Sequence, residues 1–222
     1  MEKNCFVCFT GIDGSGKTTL SNFLVNYLKE KNQKTIYAYG RLKPFVTLPI
    51  MYVGRKLLLN NTTKKHYSDY VKKNKEYSQK YRTLFSFYKG LLVLENIIQI
   101  TLKVRVPMLL GYNVVCDRYI YDTIITDLGI YYNNQQQILD SIQKLYNYVP
   151  KPDIVFVLDV PDNVSLSRKD DIEHINYISN ARKHYRKLHE TYQFTYIDTS
   201  GLREEVENVI TSTYDRHTTE DV

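Results

Sequence analysis

The chain has 222 residues, a net charge of +6 and an ordinary apolar content of 43%. Such a length suits one α/β unit with an elaboration and a sizeable core. Tyrosine is abundant at 21, tryptophan is missing, and the modest positive charge agrees with a polyanionic ligand without requiring one. The longest apolar run, residues 91–110, is broken by Glu95, Lys103 and Arg105 and is too polar for a membrane span.

Met1-Glu2-Lys3-Asn4 leads straight into an apolar run, so no signal peptide is expected and the chain reads as cytoplasmic. Residues 4–10 predict a first strand. Cys5 and Cys8 lie inside it, and their odd spacing sends the two side chains to opposite faces, as core thiols rather than a redox or zinc pair. With Cys116 they make three cysteines, read as free thiols. The five histidines show no ligand spacing, so a metal held by protein alone is not expected.

Gly11-Ile12-Asp13-Gly14-Ser15-Gly16-Lys17-Thr18 then fits G-x-x-x-x-G-K-[ST], the phosphate-cradling loop. Leu20, Phe23, Leu24, Tyr27 and Leu28 follow at helical spacing. A strand, a glycine-rich turn and a helix start are what a bound phosphate needs. Backbone N–H groups turn inward, and the helix N-terminus adds donors and partial positive charge. Lys17 would reach the β/γ-phosphates, and the Thr18 hydroxyl would ligate Mg²⁺.

Residues 35–39 predict a second strand. More than seventy residues separate it from the third, more than one crossover needs. Within them Lys64, Lys65, Lys72, Lys73, Lys75, Lys80 and Arg82 interleave with Tyr67, Tyr70, Tyr77 and Tyr81. This run reads either as a solvated helical flap or as a basic aromatic surface for a phosphorylated substrate or nucleic acid. Leu84, Tyr88, Leu91, Leu92, Glu95 and Ile98 suggest a long helix toward Leu110, ended by Gly111.

Strands at 113–116, 154–158 and 194–197 complete an alternating pattern that signals a parallel sheet with helices on both faces. Ligands of such sheets collect beyond the strands' C-terminal ends. Asp117-Arg118-Tyr119 stands at one of those ends. Asp117 can orient Mg²⁺, its water or an acceptor group, and Arg118 can neutralise charge between two phosphates. No N-K-x-D for guanine and no L-S-G-G-Q occur; Asp198-Thr199-Ser200-Gly201 matches D-x-x-G but follows the last strand, the wrong place for a γ-phosphate switch. The tail at 214–222 is polar and expected to fray.

At these residues the chain resembles the thymidylate kinase family of nucleoside monophosphate kinases. The phosphate loop through Thr19, the run from Asn113 to Tyr119, the run from Pro152 to Val160 and the closing run from Tyr196 to Val206 carry the likeness. Ile172-Glu173 and Arg182-x-x-Tyr185 are similar to the family's helix after its lid. The resemblance implies a P-loop kinase fold in one unit, with a five-stranded parallel sheet in the order 2-3-1-4-5. It also implies a helical substrate side at about 42–110, a short lid at about 165–173, ATP·Mg²⁺ as donor and a homodimer.

The same resemblance places Gly11, Asp13, Gly14, Ser15, Gly16, Lys17, Thr18 and Thr19 on ATP, with Asp198 and Ser200 in the loop that lies against the adenine. Thr18 and Asp117 are the metal candidates. Gly14 stands where one branch of the family carries an arginine, so the mobile cation is expected from the lid, at Arg168 with Lys169 beside it. Acceptor binding is expected at Asp13, Arg41, Arg118 and Tyr119, with Arg82 and Lys89 as the nearest cations on the long helix. The acceptor side departs from the family's pattern. Gly40-Arg41-Leu42-Lys43-Pro44 stands for R-E-P-G, and Asp122, Ile125, Thr126 and Asp127 stand where S-x-x-A-Y-Q is usual.

The reading in front is phosphoryl transfer from ATP to a nucleoside monophosphate, dTMP first. A kinase acting on another acceptor, such as a deoxynucleoside or a small phosphorylated metabolite, stays open. A nucleotide- or nucleic-acid-binding protein with little turnover is the third reading. No membrane partner is expected.

Overall fold

A computed structural model describes residues 4–50, 52, 80–129, 132, 134–167 and 175–220. Five strands form one parallel sheet in the order β2-β3-β1-β4-β5, as expected. They are β1 (Phe6–Gly11), β2 (Thr35–Tyr39), β3 (Asn113–Asp117), β4 (Ile154–Asp159) and β5 (Thr195–Asp198). Each boundary lies within two residues of the sequence expectation. Strands β1 and β4 are buried along their whole length, the near-continuous apolar pattern of a sheet covered on both sides. The register sets Cys8 beside Cys116 and Val7 beside Ile154.

The period of two along β1 sorts its side chains into two cores. Phe6 and Cys8 join Val114, Cys116, Val155 and Val157 on one face. Cys5, Val7 and Phe9 join Val115, Phe156 and Leu158 on the other. The two cysteines of the first strand therefore part to opposite faces, and none of the three thiols is in a disulfide.

Helix α1 (Lys17–Glu30) lays Leu20, Leu24 and Leu28 on the second face. Burial of each such leucine is worth about 1.5–3 kcal/mol. The helix stops where Asn32 turns left-handed at φ 60, a conformation asparagine tolerates. Helix α2 (Arg82–Ile100) runs into a π-helical turn (Thr101–Arg105) and then α3 (Val106–Leu109), closed by Gly111 as expected. The π turn ends beside Pro107, which supplies no N–H to an ordinary helical ladder. The buried face of α2 carries Leu92, Glu95, Asn96 and Ile100. Leu84 and Ile98, expected on that stripe, face outward.

Helix α4 (Ile120–Asp122) continues as a second π turn (Thr123–Asp127). Helix α5 (Gln135–Leu145) starts at Asn134, whose side chain accepts from the Gln137 N–H. Helix α6 (Asp162–Ser167) overlaps the start of the expected lid, α7 (Ile175–Tyr192) follows it, and α8 (Arg203–Glu220) is the last described element. Of the tail expected to fray at 214–222, residues 214–220 are the last turns of α8, and 221–222 lie outside the described residues. Tyr214 is buried and donates to Gln33 Oε1, and Asp215 holds Lys31 and the Tyr27 hydroxyl. One buried ring and one ion pair anchor a run that composition alone reads as loose. Among the described residues no helix is long and apolar enough to cross a membrane.

Candidate active site

The strands deliver their C-terminal ends to one pole of the sheet. There β1 passes into the 11–16 loop. Gly11 has φ +136, and a Cβ on it would stand 2.0 Å from the Leu158 carbonyl oxygen of β4, so only glycine fits where the loop leaves the sheet. The loop folds onto itself through the Ser15 hydroxyl, which donates to the Ile12 carbonyl at 2.7 Å. No side chain caps α1 at Gly16, and the leading N–H groups of a helix have no partner within it. Lys17 is buried and donates to the Gly11 and Ile12 carbonyls at 2.9 and 2.5 Å. Burial, reinforced by the nearby Arg118 charge, lowers its pKa to about 8.

Asp117 ends β3 beside this loop, fully buried. Its Oδ2 accepts from the Thr18 hydroxyl at 2.5 Å and from the Tyr37 hydroxyl at 2.8 Å. Its Oδ1 is buried with no hydrogen-bond partner among the described residues. Burial, together with that hydrogen bond, raises the pKa of Tyr37, so Tyr37 stays a donor. Thr18 and Asp117 thus meet across 99 residues of sequence. Two hard oxygen ligands and an orphaned carboxylate oxygen suit a Mg²⁺ ion that keeps most of its water.

Arg118 follows with φ 65, an unusual turn for a side-chain-bearing residue. Its guanidinium bonds Asp13 Oδ1 at 2.6 Å and Asp122 Oδ1 at 3.3 Å. Burial opposes its charge, yet Asp122 and Asp13 hold its pKa above the ordinary value. Asp122 is buried and receives, besides Arg118, the Thr10 hydroxyl at 2.7 Å, the Tyr119 N–H at 3.2 Å and the Tyr185 hydroxyl at 3.0 Å. Burial still raises its pKa against those partners. Nothing in the sequence pattern marks Asp122 beyond its departure from the family's serine.

Tyr119, expected on the acceptor side, is a core residue. Its ring packs against Phe6 and its hydroxyl donates to the Pro150 carbonyl at 2.7 Å. The left-handed turn at Arg118 breaks the alternation of β3 and sends the next side chain inward. Arg41, after β2, forks Asp127. Arg82 is exposed at the start of α2 and Lys89 is half-buried two turns on. The helix meets the segment after β2 further along. Glu95 receives the N–H groups of Phe45, Val46 and Thr47, and Lys103 reaches the Tyr39 carbonyl.

Gly14 has φ +80, and a Cβ there would stand 3.0 Å from the Ser165 carbonyl oxygen. Ser165 of α6 donates to the Asp13 carbonyl at 2.6 Å. The loop therefore packs against α6 where an arginine side chain would have to emerge. Arg168 and Lys169, the expected lid cations, and Ile172-Glu173 lie outside the described residues. On α7, Arg182 and Tyr185 share one face: Arg182 bonds Asp159, Asp162 and the Val160 carbonyl, and Tyr185 reaches Asp122.

A cleft of about 470 Å³ joins the loop to the segment after β5, lined by Lys17, Thr19, Arg118, Thr199, Gly201 and Arg203 among others. Of the two residues expected against the adenine, Asp198 accepts the Ser200 N–H and shapes the turn, while Thr199 and Gly201 line the cleft. A larger hollow, about 800 Å³, lies at the opposite pole of the sheet. Its polar groups serve one another there, with Gln33 Oε1 receiving both Asn113 and Tyr214, so the chemistry favours the smaller cleft.

The thymidylate kinase family profile matches residues 55–210, a span that excludes the phosphate loop. The chain belongs to the thymidylate kinase family. It is 32% identical over 215 residues to a probable thymidylate kinase of Methanocaldococcus jannaschii, covering 95% of both chains. It is 30% identical over 193 residues to the thymidylate kinase of Plasmodium falciparum, covering 86% of this chain and 77% of that one. The thymidylate kinase of Wolbachia pipientis is 28% identical over 189 residues, covering 82% and 84%. The family profile, which starts at residue 55, is thus independent of the geometry of the 11–16 loop.

Proposed function

We propose that the chain moves the γ-phosphoryl group of ATP onto the phosphate of dTMP, giving dTDP and ADP. Family membership supports the acceptor. The observation that carries the transfer chemistry is the meeting of Thr18, Asp117, Asp13 and Arg118 at one mouth beyond β1 and β3. An oxygen of the acceptor phosphate forms the new bond to phosphorus. The bond to the bridging oxygen breaks, and its electron pair leaves with ADP. The attacking oxygen is already ionised, so no general base is needed, and catalysis reduces to positioning and electrostatics.

In this reading Lys17 and the amides of residues 14–19 hold the donor phosphates, and Asp198 and Ser200 shape the loop beside the adenine. Thr18 and Asp117 hold Mg²⁺, which when bound neutralises charge on those phosphates. Arg118, kept in place by Asp13, and Arg41 receive the acceptor phosphate. Arg168 brings the mobile cation. The Leu84, Phe87, Leu94, Ile98 and Leu102 side chains form an apolar face of α2 and its π turn, each more than half exposed. In this reading a second copy covers that face, and a doubled mass in solution is the check.

The test of the acceptor is a coupled ADP-release assay over a panel of nucleoside monophosphates and nucleosides. dTMP is expected to give the fastest release. Release no faster with dTMP than with no acceptor overturns the reading.

A further inference from the structure

In an α-helix, residues five apart point in different directions, because a turn takes 3.6 residues. A π turn closes at i+5 instead, and such turns recur at functional sites. The segment Thr123–Asp127 is one, and the Leu128 N–H reaches back to the Thr123 carbonyl at 2.9 Å. Asp122, just before this turn, and Asp127, at its end, are carboxylates five residues apart, and each ends on an arginine. Asp122 holds Arg118. Asp127 holds Arg41 by a two-point fork, Nε to Oδ2 at 3.1 Å and Nη2 to Oδ1 at 2.5 Å. The two arginines are close enough that the charge of Arg41 works against that of Arg118.

The π turn also docks the backbone that carries Arg41. The Leu42 N–H donates to the Thr123 hydroxyl at 3.3 Å. The Thr126 hydroxyl donates to the Asp122 carbonyl at 2.6 Å and lies 3.5 Å from Asp127 Oδ1. Segments 81 to 86 residues apart are thereby joined beside the site by one ion pair and one side-chain-to-backbone bond.

The geometry points to Asp127 as a positioning residue for the acceptor phosphate, acting through Arg41. A guanidinium is a rigid planar fork of five donors, so holding one edge fixes the direction of the other. Both side chains of the pair are about a quarter exposed, at 27% each, where an ion pair adds little stability. What the fork supplies is orientation of a cation that would otherwise sweep through many rotamers. The inference rests on the reading that Arg41 and Arg118 receive the acceptor phosphate.

The test compares Asp127→Asn, Asp127→Glu and Arg41→Ala, singly and as the Asp127→Asn/Arg41→Ala pair, in the full chain. Asp127→Asn is expected to raise the KM for dTMP on the order of tenfold, the scale of a misplaced binding group. The KM for ATP and the melting temperature stay at the parent values. Asp127→Glu, which keeps the charge, lies between parent and Asn. In the Arg41→Ala background Asp127→Asn adds nothing. A KM for dTMP that is unchanged or lower, an equal rise in the KM for ATP, or additive effects in the double variant each overturn the inference. A parent enzyme that does not turn over dTMP overturns the function proposed above, an outcome read before any variant is made.

Discussion

In the proposed reading, the donor and acceptor sides of the site are built by different means. The donor side is mostly backbone. Glycines at positive φ turn the loop, a helix N-terminus faces the cleft, and the bonds made within the loop, from the Ser15 hydroxyl and the Lys17 ammonium, span three to six residues. The acceptor side is made of side chains that meet from far apart. Arg41 reaches Asp127 and Glu95 reaches residues 45–47, at separations of 48 to 86 residues. A phosphate is the same on every nucleotide, and a local backbone motif suffices for it. An acceptor must be told apart from its analogues, and that discrimination depends on side chains whose placement the whole fold decides.

The largest effect lies on the donor side. Lys17→Met removes the buried ammonium of the loop and is expected to lower turnover by roughly a thousandfold, the scale of a lost transition-state donor. The check is ADP release together with ATP binding. A variant that binds and consumes ATP like the parent would remove the loop from the chemistry. Next comes the lid. Arg168→Ala is expected to lower kcat about a hundredfold, on the order of the smaller effects of an arginine finger. Near-parent turnover takes Arg168 out of the mechanism and leaves Lys169 as the lid cation to substitute next.

What was legible in the sequence follows the same division. The strands, α1 and the phosphate loop are written in short-range patterns of period two, period 3.6 and glycine spacing, and the structure reproduces them nearly residue by residue. Asp117 and Arg118 were legible because they share a strand end. Tyr119 beside them was misplaced, since no pattern announces that Arg118 turns left-handed and flips the next side chain into the core. Asp122 and Asp127 showed only as departures from a family pattern. Their partners appear only when β1, the segment after β2 and α7 are folded against them. The fate of the tail was hidden for the same reason, because Tyr214 finds Gln33 across 181 residues.

The smallest effect tests the acceptor side alone. Glu95 accepts the N–H groups of Phe45 and Val46 at 2.6 and 2.9 Å, the Thr47 N–H at 3.2 Å and the Thr47 hydroxyl at 2.6 Å. Burial pushes its pKa up, but the hydroxyl and the three amides outweigh it and hold the carboxyl below its usual value. A carboxyl depressed in the folded state stabilises it above the unfolded pKa, and that contribution is lost as pH falls through the folded value. Glu95→Gln keeps an acceptor but loses the charge, so it is expected to cost about 1 kcal/mol at pH 7. The gap between parent and variant should narrow once the pH drops below about 4.3, the ordinary glutamate range, as the parent carboxyl takes up its proton. Paired melting curves from pH 7 to pH 3 read this directly. Because the loosened residues 45–47 follow Arg41, the KM for dTMP should rise about threefold while the KM for ATP holds. Melting curves that stay parallel across that range, or a KM for ATP that moves with the other, would mean that the donor and acceptor sides are not separately built.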